Sequence, residues 1–125
     1  MHKILVVDDD TPTLEVMKLI LRKLGCEPVV VDNGWDALNI VRTDPPSLIL
    51  MDVMMSPMNG WQFLELKQQD ERIRDVPVML FTAKSIETEE FARYGKAIVG
   101  VLEKPISPTE LKAALERFFT RRTSG

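Results

Sequence analysis

One cysteine, one histidine and one tyrosine occur in 125 residues, and each scarcity removes a class of chemistry. With Cys26 alone there is no intrachain disulfide, which agrees with a reducing compartment. His2, the one histidine, precedes the first apolar segment and reads as an exposed terminal residue, so a zinc site is not expected. No stretch approaches the roughly 18 consecutive apolar residues of a membrane span. Only Met1-His2-Lys3 comes before the first strand, so no secretory leader is read there. The formal net charge of −3 gives no general attraction to nucleic acid or membranes, and Arg121-Arg122 is too short a basic patch to change that. No Gly-rich phosphate loop or Walker lysine supports an ATPase or kinase, and no EF-hand spacing supports a calcium loop. A soluble, cytoplasmic protein is expected.

What the chain does contain is enough apolar residue, 45%, for one ordinary core at this length. Ile4-Leu5-Val6-Val7 reads as a first strand. Asp10-Thr11-Pro12 then starts a helix, with Asp10 or Thr11 as cap, a stripe of Leu14, Met17, Leu21 and Leu24, and Gly25 as its end. Val29-Val30-Val31 is a second strand, placed at a sheet edge by the adjoining Pro28. After the turn Asp32-Asn33-Gly34, a short helix is marked by Trp35, Leu38 and Val41, and Asp44-Pro45-Pro46 breaks it. Strands at 48–51, 76–81 and 99–102 alternate with helices at about 59–69, from Ile86 to Tyr94, and from Ser107 with the stripe Leu111, Leu115 and Phe118. The third helix points Trp61, Leu64 and Phe63 inward.

Five strand–helix alternations with nearly continuous apolar strands predict an α/β fold, an open parallel sheet covered on both faces. The flavodoxin-like order 2-1-3-4-5, with five flanking helices, places the first and third strands side by side and the second at an edge. Asp8 and Asp9 end the first strand and Asp52 ends the third, so three carboxylates converge where this architecture builds its sites. Crowded like charges are costly without a cation or lysine among them. Oxygen ligands of this type suit a hard divalent cation, magnesium above all. Lys104, after the fifth strand, either directs its ammonium into the acids or stays solvated. Thr82, after the fourth, either donates to an anionic oxygen or caps its loop. Asp52 can attack phosphorus while magnesium and Lys104 offset charge, which is the requirement of phosphoryl transfer.

The ordered set Ile4-Leu5-Val6-Val7-Asp8-Asp9-Asp10, Leu50-Met51-Asp52-Val53-Met54, Met58-Asn59-Gly60, Phe81-Thr82-Ala83-Lys84 and Leu102-Glu103-Lys104-Pro105 closely resembles the receiver domain of two-component response regulators. The resemblance spans nearly the whole chain. It implies a receiver over residues 1–121, with 122–125 as a tail or the start of a linker. It implies Asp52 as phosphoacceptor from a sensor histidine kinase or histidine phosphotransfer protein, a signalling module more than a turnover enzyme. Asp8, Asp9, Asp52 and the backbone carbonyl of Met54 would hold magnesium, Lys104 would contact the phosphoryl group, and Thr82 would move toward it. A cis bond before Pro105 would aim the lysine. Helices four and five are the first places to seek a partner or a phosphorylation-dependent homodimer face. The sequence supplies no separate output domain, so no pathway is assigned; a stand-alone regulator and an excised receiver both fit. No direct nucleic-acid binding by this domain is expected.

The chain departs from the family's pattern at Val101 and in the loop after Asp52. Val101 stands where most members carry a switch aromatic, so phosphate acceptance is expected to survive while readout is altered. Pro57 comes one position late in Met55-Ser56-Pro57-Met58, which predicts a different local path for that loop. Met54 offers nothing to orient a hydrolytic water, predicting slow self-dephosphorylation, and Lys84 either pairs with phosphate or stays in solvent. A phosphate-independent scaffold with the same fold is the alternative function. A small-molecule phosphohydrolase is less attractive, because Asp52-Val53-Met54 lacks a second aspartate and no capping domain fits in the length. Flavin binding is opposed by the acids at the phosphate end.

Overall fold

The computed structural model describes residues 1–83 and 88–124, so Lys84 and the start of the expected fourth helix at Ile86 lie outside the described residues. In chain order the elements are β1 (Lys3–Val7), α1 (Thr11–Lys23), β2 (Glu27–Val31), α2 (Gly34–Thr43), β3 (Leu48–Asp52), α3 (Gly60–Gln68), β4 (Val78–Thr82), α4 (Thr88–Tyr94), a 3-10 turn (Gly95–Ala97), β5 (Ile98–Glu103) and α5 (Pro108–Ser124). The five strands form one sheet in the order β2-β1-β3-β4-β5, all neighbours parallel. This is the expected α/β sheet. Pro28 lies within the edge strand β2, opposite Ile4 of its one neighbour. Only one side of an edge strand is paired, which is where a residue without an N–H is tolerated.

Alternation along the strands divides the core into two layers. Leu5, Val7, Ile49, Met51 and Leu80 pack against Ala37, Leu38 and Val41 of α2 and Phe63 and Leu64 of α3. Ile4, Val6, Leu48, Leu50, Met79 and Phe81 pack on the other face against Leu14, Met17 and Leu21 of α1 and Leu111 and Leu115 of α5. β1, β3 and β4 are buried almost throughout, whereas β5 alternates between half-buried and exposed, leaving Val99 and Val101 in solvent.

The helix starts follow local chemistry. Asp10 caps α1, its carboxylate accepting from the Thr13 N–H at 3.1 Å, and Asn33 caps α2 by accepting from the Asp36 N–H at 2.8 Å. Asn59 and Gln62 form a reciprocal capping box at α3, each side chain accepting the other's backbone N–H at 2.9 Å.

Three expectations shift. β4 begins at Val78 and not at Val76, because the Val76 N–H turns back to Ile73 and Pro77 has no N–H to give to a ladder; its carbonyl instead accepts from Ile49 at 2.9 Å. Thr82 therefore lies inside β4 and not after it. Trp35, expected on the inner stripe of α2, is 57% exposed, and Ala37, Leu38 and Val41 supply the buried face.

Candidate functional site at the carboxyl ends of the strands

Strand register assembles the site. Val6 pairs with Leu50 and Val7 with Met51, so the next step along β1 brings Asp8 level with Asp52. Asp52 keeps the parity of Leu48 and Leu50, whose side chains face α1 and α5. Lys104 keeps the parity of Leu102, which lies opposite Phe81, itself opposite Asp52. Charged residues from β1, β3 and, across β4, β5 thus meet above one layer of the core.

The side chains confirm that convergence. Carboxylate oxygens of Asp8, Asp9 and Asp52 lie within 4.8 Å of one another. Asp8 and Asp52 are buried and Asp9 is exposed, so the cluster opens to solvent on one side. Lys104 donates from Nζ to Asp8 Oδ2 at 2.7 Å and to Asp52 Oδ2 at 3.3 Å, and its Nζ stands 5.1 Å from the Phe81 ring centroid. The solvated alternative for Lys104 is thereby replaced by a bridge between acids. Backbone amides hold three further oxygens: Asp10 N–H donates to Asp8 Oδ1 at 2.9 Å, Met54 N–H to Asp52 Oδ1 at 3.2 Å, and Ser56 N–H to Asp9 Oδ2 at 3.2 Å.

Burial pushes the Asp52 carboxyl above its ordinary range; the Met54 amide opposes this, the charge on Asp8 adds to it, and Lys104 opposes it. For Lys104, burial favours the neutral amine, but its bonds to Asp8 and the charges on Asp8 and Asp52 outweigh it, leaving the amine above its usual value. The site is a set of mutually dependent charges. Its donors, three carboxylates with no histidine or cysteine in the cluster, fit a hard divalent cation.

Gly60 packs directly behind this cluster. A Cβ there would lie 2.9 Å from both the Asp52 carbonyl oxygen and the Val53 Cα, so only a hydrogen lets α3 start so close to the acid. Thr82, buried at the end of β4, lies opposite Glu103, and its carbonyl accepts the Lys104 N–H at 3.0 Å. Met54 is exposed immediately beyond Asp52. The bond between Lys104 and Pro105 is cis, as is that between Ser56 and Pro57. The Ser56–Asp9 tie and the close approach at Gly60 were not read from the sequence; the run Asn59-Gly60 ahead of an apolar helix was their one local sign.

A response regulator receiver domain model matches residues 4–116. The chain belongs to the response regulator receiver family. This CheY-like receiver is 32% identical over 120 residues to the phosphate regulon transcriptional regulatory protein PhoB of Klebsiella pneumoniae, covering 96% of this chain and 52% of that one. It is 35% identical over 112 residues to the sensor histidine kinase GacS of Pseudomonas protegens, covering 87% of this chain and 12% of that one. The receiver therefore spans about half, or far less, of the curated relatives it matches. Among solved structures, the N-terminal domain of a response regulator receiver protein from Methanoculleus marisnigri JR1 is 37% identical with a TM-score of 0.81, covering 94% and 95% of the two chains. The receiver domain of a Pseudomonas aeruginosa PAO1 sensor histidine kinase, with magnesium coordinated in its active-site cleft, is 26% identical with a TM-score of 0.82, covering 93% and 95%. No helix among the described residues of this receiver is long and apolar enough to cross a membrane.

Proposed function

We propose that this receiver accepts a phosphoryl group on Asp52 from a phosphohistidine of a sensor histidine kinase or histidine phosphotransfer protein in the cytoplasm, and that the modified state switches partner binding. The carrying observation is Lys104 bridging Asp8 and Asp52 at 2.7 and 3.3 Å. In the proposed step, a carboxylate oxygen of Asp52 forms a bond to phosphorus as the phosphorus–nitrogen bond breaks, and the electron pair leaves with the donor imidazole. The Met54 amide holds Oδ1, which leaves Oδ2, the oxygen facing Lys104, to attack. Lys104 neutralises charge on the transferring group, and Thr82 moves toward the phosphoryl group once it is bound. Asp8, Asp9, Asp52 and the Met54 carbonyl would hold magnesium, which when bound would supply electrostatic stabilisation of the phosphoryl oxygens.

Residues 1–121 form the receiver in this reading, and 122–125 a tail or the start of a linker. Val101 cannot swing a ring between buried and exposed states, so the readout differs from threonine–aromatic coupling. A phosphorylation-dependent homodimer remains one form that readout can take. Incubation with a phosphorylated histidine donor and Mg2+ tests the reading: label transfers to wild type and to Asp32→Asn but not to Asp52→Asn. A folded, cation-binding protein that takes no label from any of several donors would favour the phosphate-independent scaffold instead.

A further inference from the structure

Trp35, in the first turn of α2, is 57% exposed, although an indole is among the side chains that gain most from being covered. It lines a groove of about 460 Å3 between α2 and α3 together with Pro57, Met58 and Leu66, with Gln62 and Glu65 also facing it. Pro57 and Met58 belong to the connection that follows Asp52. Met58 is seated over Gly34, where a Cβ would come within 2.4 Å of its sulfur, and Ser56 of the same connection donates to Asp9 at 3.2 Å. The groove wall is thus continuous with the loop that carries the acid site.

The one charged residue lining the groove is the acid Glu65, which accepts from the Tyr94 hydroxyl at 3.2 Å. Asp32, Asp36 and Glu65 are exposed at the turn before α2, beside Trp35 and on α3. The one basic residue of α2, Arg42, is engaged by Asp70 at 2.9 Å, and the one basic residue of α3, Lys67, is buried. An apolar slot lined by one acid, with further exposed acids at the start of α2 and no free cation on its two helices, selects an apolar side chain flanked by positive charge. We propose that this groove docks a segment of a partner protein that presents an apolar side chain between lysine or arginine residues.

Titration of the 15N-labelled full chain with the acetylated, amidated peptide KRLFK tests this, with EELFE as control. The Trp35 indole N–H and the amides of Met58, Gln62 and Leu66 should shift with KRLFK, and binding of EELFE should be weaker by about tenfold or more. Trp35→Ala and Glu65→Lys, both at exposed positions outside the acid site, should each weaken KRLFK binding by about tenfold while the rest of the spectrum keeps its dispersion. Equal response to both peptides, shifts confined to other surfaces, or no shift at all would overturn the proposal. So would peptide-free Trp35 shifts that grow with protein concentration, which would give the groove to a second copy.

Discussion

Lys104 Nζ sits nearer to Asp8, at 2.7 Å, than to Asp52, at 3.3 Å. The lysine therefore neutralises chiefly the acid that is not the proposed phosphate carrier, and Asp52 keeps part of its burial penalty. Lys104→Met should leave two buried carboxylates facing each other. The expected loss is about 3 kcal/mol without divalent cation, and adding Mg2+ should recover part of it. Urea denaturation of both proteins, in chelator and in Mg2+, measures this; equal loss in the two conditions would separate Lys104 from the acid cluster.

Gly60 and Gly34 should respond differently to the same added methyl. At Gly60 the new Cβ meets backbone, the Asp52 carbonyl and Val53 Cα at 2.9 Å, which cannot move without shifting the acid. At Gly34 it meets the flexible end of Met58. Gly60→Ala should cost about 2–3 kcal/mol and weaken cation binding, whereas Gly34→Ala should cost about 1 kcal/mol. Comparable losses would mean that Met58 is as immovable as the backbone.

Much of this site was legible because strand parity and register are arithmetic. Acids after Val7 and Met51, and a lysine two beyond Leu102, must share a face once β1, β3, β4 and β5 take this order. Side-chain burial on helices was less legible. Trp35 looks like a stripe residue, but the inner positions of α2 are filled by Ala37, Leu38 and Val41. Lys67 was missed for the opposite reason: a lysine three residues after Leu64 reads as solvated, yet it is 1% exposed because the Arg74 carbonyl accepts its Nζ at 2.6 Å. The backbone path after α3, which no pattern encodes, provides that partner.

Lys67 gives a pH signature. Burial lowers its amine from 10.5 to about 8, with Asp75 opposing the shift. Between those values the unfolded chain holds a proton that the folded chain has lost, so this residue's contribution to stability rises with pH there, by about 3 kcal/mol in total. Below about pH 8 both states are protonated and the penalty is fully present. Lys67→Met should abolish that rise. Since the variant also strands the Arg74 carbonyl, its stability at pH 7 should fall within about 1 kcal/mol of wild type. Denaturation midpoints from pH 7 to 10.5, compared between the two proteins, check both statements; parallel profiles would contradict the assignment.

Met54 is 56% exposed beside Asp52 and presents no group to orient water. Met54→Asn should shorten the lifetime of an aspartyl phosphate severalfold, because an amide there can position the attacking water. Decay of the phosphorylated protein in Mg2+ measures the effect, and equal lifetimes would count against it.

Val101, 41% exposed on β5, is the complement of that test. If readout avoids an aromatic switch, Val101→Ala should leave the extent of phosphorylation within about twofold of wild type. A larger loss of incorporation, measured with the same histidine donor, would tie Val101 to the acceptance step.

In the proposed reading the three clustered acids have unequal roles, Asp52 carrying phosphate while Asp8 and Asp9 hold the cation. Peptide mapping by mass spectrometry of the phosphorylated full chain tests it most directly. The added phosphoryl group should lie on the peptide containing Asp52, with Asp8 and Asp9 unmodified. Phosphate on Asp8 or Asp9, or on a residue outside the cluster, would contradict the account.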